Sequence, residues 1–107
     1  MLESTWDAVI SGAEQLAVDA YVCFADLPTS GAEPVAITTE DDWEDEDDEV
    51  PTPAAQAGMT HCIVGSDLVQ IVGNAIAQDP TVAPELLRRA VRYYYENDAF
   101  VRLDPNA

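Results

Sequence analysis

Apolar residues return at three- and four-residue steps from the start of this chain: Leu2, Trp6, Val9, Ala13, Leu16, Ala17, Ala20 and Phe24. A helix brings positions three and four apart onto one face, so this spacing predicts an amphipathic helix over about 4–24. Ser4 or Thr5 can cap its start by accepting a first-turn amide. Gly12 weakens it by about 1 kcal/mol against alanine, and Leu27-Pro28-Thr29-Ser30-Gly31 ends it. At 100° per residue, Glu3, Asp7 and Glu14 fall within about 40° of one another, which predicts a negative stripe beside the apolar face.

Beyond residue 34 the pattern changes. Val35 to Thr39 and Met59 to Val64 are short β-prone pieces that can pair as a hairpin across a long connection. Gly65-Ser66 opens a second helix with Leu68, Ile71, Val72, Ala75 and Ile76 on its apolar face, and Asp79-Pro80 ends it. A third helix begins near Pro84, with Leu86, Leu87, Ala90, Val91 and Tyr94 inward, Arg88, Arg89 and Arg92 on the other side, and Asn97 as its cap. Phe100 to Leu103 can add an edge strand or simply pack. The expected fold class is therefore α+β and predominantly helical: three helices, a short β-hairpin and a long acidic loop. Residues 1–107 make one domain, with 40–58 an exposed acidic and Pro/Ala loop.

Charge alters the picture more than hydropathy does. There are 21 acidic residues against four arginines and no lysine, for a formal net charge of −17. Residues 1–53 hold 15 of the acids and no base, while 54–107 hold six acids and all four arginines. Salt adaptation spreads acid over a whole surface, whereas adaptation to one basic partner concentrates it. Here nine of the ten residues from Glu40 to Glu49 are acidic. Such a protein repels nucleic acid and acidic membrane faces and attracts basic partners.

No apolar run approaches the roughly 18 residues of a membrane span, and the first residues lack the basic start and apolar stretch of a secretory signal. A cytoplasmic protein is expected, with Cys23 and Cys62 as reduced, mostly buried thiols. Catalysis finds little support. His61 is the only histidine, and if its segment is a strand, the adjacent Cys62 points to the opposite face. Phosphate-loop, dinucleotide and nucleophile-elbow patterns do not occur. The acidic run contains no glycine, which a helix–loop–helix calcium site requires. No enzyme activity, cofactor or metal is expected. The arginines are expected to pair with Glu85, Glu96 and Asp98, and one of Tyr93, Tyr94 and Tyr95 must face outward, which leaves room for a homodimer interface.

The remaining candidate is the run itself: Asp41, Asp42, Glu44, Asp45, Glu46, Asp47 and Asp48, with Trp43 as an aromatic anchor and Glu3, Asp7 and Glu14 as a second track. Duplex DNA carries one charge per about 1.7 Å of axis, and an extended acidic peptide carries one per about 3.3 Å, comparable to a single strand. Trp43 can stack on a partner arginine, or fold back onto its own domain. In size, charge and the stretch Glu40-Asp41-Asp42-Trp43-Glu44-Asp45-Glu46-Asp47-Asp48-Glu49, the chain resembles the small acidic DNA-mimic inhibitors of phages and mobile elements, the anti-CRISPR and anti-restriction proteins. That resemblance implies a mechanism: occupying the basic DNA channel of a nuclease, CRISPR effector or restriction complex. The partner would be a basic nucleic-acid-binding protein, with neither nucleic acid nor membrane bound directly. Two other uses fit the acidity: a halophile's housekeeping or adaptor domain, and an immunity protein or chaperone masking a basic toxin or effector.

Overall fold

The computed structural model describes residues 1–17, 19–44 and 49–101. Its centre is a four-stranded antiparallel sheet of β1 (Leu2–Thr5), β2 (Tyr21–Phe24), β3 (Pro34–Thr38) and β4 (His61–Val64), in the order β1-β3-β2-β4. Among the described residues four α-helices accompany it: α1 (Trp6–Ser11), α2 (Thr52–Gln56), α3 (Gly65–Gln78) and α4 (Pro84–Asn97). Only α3 and α4 are seven residues or longer. The expected array of three helices beside a hairpin is thereby corrected.

The largest correction falls on the first 24 residues. In place of one helix they form β1, α1, a 3-10 turn at Ala13–Gln15 and β2. Thr5 does cap α1, its hydroxyl accepting from Ala8 N at 3.3 Å. Gly12 then closes the helix after six residues, its amide donating back to Ala8 O. Tyr21-Val22-Cys23-Phe24 is an unbroken run of β-branched, aromatic and small apolar residues. A strand covered on both faces needs such a run, and its three- and four-step spacing to Trp6 and Val9 is incidental to that requirement.

The two β-prone pieces do form strands, but they do not pair with each other. β2 lies between them and pairs with both, through Cys23↔Ala36 on one side and Cys23↔Cys62 on the other. A strand supplied from the supposed helix removes the need for a hairpin spanning the acidic segment.

Side chains alternate across a sheet, and both faces are covered. On one, Val22, Phe24, Val35 and Ile63 meet Trp6, Val9 and Ile10 of α1, Leu68, Ile71, Val72 and Ala75 of α3, and Ala90 and Val91 of α4. Trp6 is fully buried, and its indole N–H donates to Asp26 O at 2.8 Å. On the other face, Cys23 and Ala36 lie beneath Ala54 of α2 and Met59, with Tyr21, Val50 and Cys62 at the margin. Within the segment expected as an exposed loop over 40–58, Pro51 and Ala54 are buried.

Cys23 and Cys62 stand directly opposite each other, 4.1 Å apart at Cα, and are joined as a disulfide. The expectation of two reduced thiols is replaced because antiparallel register closes a gap of 39 positions to a cross-strand pair. α4 begins at Pro84 as expected, but its C-cap is Asp98, in the left-handed conformation (φ 53°), one residue past Asn97. Val101 is buried against the helical core and Phe100 lies against Tyr94. The remainder of the expected edge strand falls outside the described residues.

Candidate partner-binding surface

The acidic segment follows β3, which lies inside the sheet between β1 and β2. Thr39 caps a 3-10 turn over Glu40–Asp42, and Asp42 completes a capping box by accepting the Thr39 amide at 3.0 Å. Asp42 also lies 3.5 Å from the terminal amine of Met1, which puts the start of β1 beside this turn. Glu40, Asp41 and Glu44 are exposed, as is Glu49 where the described chain resumes. Asp45, Glu46, Asp47 and Asp48 lie outside the described residues.

Trp43 adopts the second of its two sequence readings. Its ring packs edge-on against Tyr21 with centroids 5.6 Å apart, and its indole N–H is buried without a hydrogen-bond partner among the described residues. Its indole thus ties the acidic segment to the sheet's second face.

Glu3, Asp7 and Glu14 do not form a stripe, because the helix expected to carry them does not exist. Glu3 is exposed on the edge strand β1, opposite Ala36 and thus on the second face. Glu14 is exposed in the 3-10 turn after α1. Asp7 points elsewhere. Both its carboxylate oxygens accept from Arg88 of α4, at 2.8 Å from Nε and 2.7 Å from the terminal nitrogen. This bidentate hydrogen bond holds the Asp7 carboxyl below its ordinary pKa and raises that of Arg88.

The arginines therefore do not simply meet acids on their own helix. Arg88 reaches Asp7, 81 positions away, and Arg92 donates to Pro28 O in the turn before β3. That turn is organised by Glu33, a residue not singled out in the sequence. Its carboxylate accepts from the amides of Thr29, Ser30 and Gly31 and from the Thr29 hydroxyl. Desolvation pushes its pKa upward, but these hydrogen bonds outweigh it and hold the group well below the usual range. A readable signal existed: Ser30 followed by Glu33 has the spacing of a hydroxyl–carboxylate capping box.

His61 and Cys62 do face opposite ways. The histidine ring stacks on Phe24 at 5.7 Å and meets Tyr95 edge-on, with Thr60 Oγ1 2.8 Å from Nδ1. Cys62 is bound to Cys23 on the other face, so no cysteine–histidine pair forms. Among the described residues no group of three or more His, Cys, Asp or Glu is placed to hold a metal ion. No helix there is long and apolar enough to cross a membrane.

Residues 3–103 match the model of DUF7716, a domain of unknown function. The chain belongs to this family. Neither a curated protein nor a solved structure matches it. In this DUF7716 chain the charges divide by position. Arg88 and Arg92 are engaged between α4, α1 and the 28–33 turn. Glu3, Glu40, Asp41, Glu44 and Glu49 have no ion-pair partner among the described residues.

Proposed function

We propose that this protein is an acidic binding protein that occupies the basic nucleic-acid groove of a nuclease and keeps substrate out. One observation carries the reading. The exposed carboxylates of Glu3, Glu40, Asp41 and Glu44 have no ion-pair partner among the described residues, while two of the four arginines are taken up inside the fold. A surface built only for solubility has no reason to segregate its charges this way. A groove lined with lysine and arginine meets there a field like that of a phosphate backbone, and attraction speeds the encounter. Trp43 and the capping box at Thr39 fix the root of the segment, so some of its charge is presented from an ordered base and less ordering entropy is lost on binding.

The test is retrieval of the partner with the full chain, carrying a C-terminal tag, from cells that hold its gene. A nuclease or other nucleic-acid-binding protein is expected, released by about 0.5 M salt and by added duplex DNA. Changing Glu40, Asp41, Glu44 and Glu49 to Gln or Asn should abolish retrieval. A neutral or acidic partner, or one held equally by the neutralised variant, overturns the reading.

A further inference from the structure

Beside the acidic segment the second face holds an open groove of about 720 Å³. Val50, Ala55 and Met59 give it an apolar wall, Thr52 and Thr60 contribute hydroxyls, and Glu49 is the only charged group among its described lining residues. All its lining residues lie within 49–60, in the five-residue α2 and the turns on either side of it. Apolar wall and single carboxylate together select the occupant. An anion is repelled by Glu49, and a second copy of this chain brings another −17. An uncharged apolar side chain leaves Glu49 facing it without a partner. A long side chain with an aliphatic stem and a cationic tip satisfies both, the stem lying on Met59 and Val50 and the tip reaching the carboxylate.

We infer that this groove receives a lysine or arginine side chain of the basic protein partner, and so fixes the register of a contact that the acidic run alone leaves loose. The inference rests on the reading above and adds to it a specific pocket. Charge by itself attracts any basic surface, whereas a groove of this shape distinguishes a projecting basic side chain from a flat basic patch.

The chain contains two methionines, Met1 beside Asp42 and Met59 in the groove, so ¹³C-methyl labelling gives two separate reporters. The probe is a decalysine peptide titrated into the full chain at about 50 mM salt, a screening length of roughly 14 Å. The Met59 methyl signal is expected to move with saturation. Ala55→Trp narrows the groove from an exposed position. It should weaken decalysine binding about tenfold, the factor that 1.4 kcal/mol represents, and suppress the Met59 shift while circular dichroism stays unchanged. Should that variant not fold, Glu49→Gln must give the same suppression. Binding that leaves the Met59 signal still, or that Ala55→Trp does not weaken, overturns the groove and leaves the acidic surface standing. Binding that survives neutralisation of Glu40, Asp41 and Glu44 but is lost in Ala55→Trp overturns the charge reading and keeps the groove. Spermine shifting Met59 at lower concentration than decalysine would assign the groove to a free polyamine and overturn the protein partner.

Discussion

Reducing the Cys23–Cys62 bond perturbs the protein without changing a residue, and its effect can be worked from the topology. The two cysteines already face each other through the β2–β4 ladder, so the native strands need little adjustment when the bond opens. The cost falls on the unfolded chain, which regains the freedom of a loop spanning 39 positions. For a closed loop of about 40 residues the chain-entropy relation gives roughly 13 cal/mol/K, or about 4 kcal/mol at 25 °C. In a domain of this size that is a fall in Tm of about 15 °C. The assay is thermal unfolding by circular dichroism with and without a phosphine reductant, with intact mass confirming the two-dalton change. Cys23→Ala with Cys62→Ala should fall at least as far, since Cys23 is fully buried and its loss also leaves a cavity. A reduced protein melting within about 2 °C of the oxidised one would refute the reasoning. So would two free thiols in protein purified without reductant.

Other perturbations probe separate parts of the fold. Leu68→Ala, at a fully buried position of α3 in the main core, should cost about 2–5 kcal/mol by denaturant unfolding. Gly31 sits at φ 89°, and a Cβ there would overlap the Asp7 carboxylate. Gly31→Ala should therefore cost at least the 1–2 kcal/mol of left-handed strain and also loosen Arg88, read as a lost salt dependence of Tm. Asp7 and Glu33 both have pKa values depressed by folding. Their contribution is complete above the unfolded carboxylate pKa of about 4 and is lost as pH falls through the folded values. Glu33→Gln should thus be less stable than the native chain at pH 7, and the gap should begin to narrow below about pH 4, where the unfolded chain takes up a proton that the folded Glu33 does not, and close only as pH falls through the depressed folded value.

What the sequence disclosed depended on how local the physics was. The helices α3 and α4 were legible because Pro84, Asp79-Pro80 and the apolar stripes through Leu68–Ala75 and Ala90–Val91 act within a few residues. The first 24 residues were not. Their apolar spacing satisfied a helical period, and only the burial of Tyr21–Phe24 on both faces, which tertiary structure supplies, turned them into a central strand. The pairing of Asp7 was hidden for the same reason, since its partner Arg88 lies 81 positions away. The exposure of Glu40, Asp41 and Glu44 involved no distant partner and was readable from composition alone, whereas the pairing of Asp42 with the Met1 amine was not. Trp43 required Tyr21 to be in a strand before its inward packing could be foreseen.

The strand order has a consequence for synthesis. By the time residue 38 has left the ribosome, β1, β3 and β2 can all pair and α1 can lie on them, yet α3 and α4, which complete the cover over Val22, Phe24 and Val35, are encoded after residue 64. A nascent chain therefore carries a half-covered apolar sheet for the several seconds needed to add about sixty more residues at about 5–20 per second. Every charge on the first 53 side chains is negative during that interval. Mutual repulsion between those side chains then keeps neighbouring polysomal chains, and their unfinished sheets, apart.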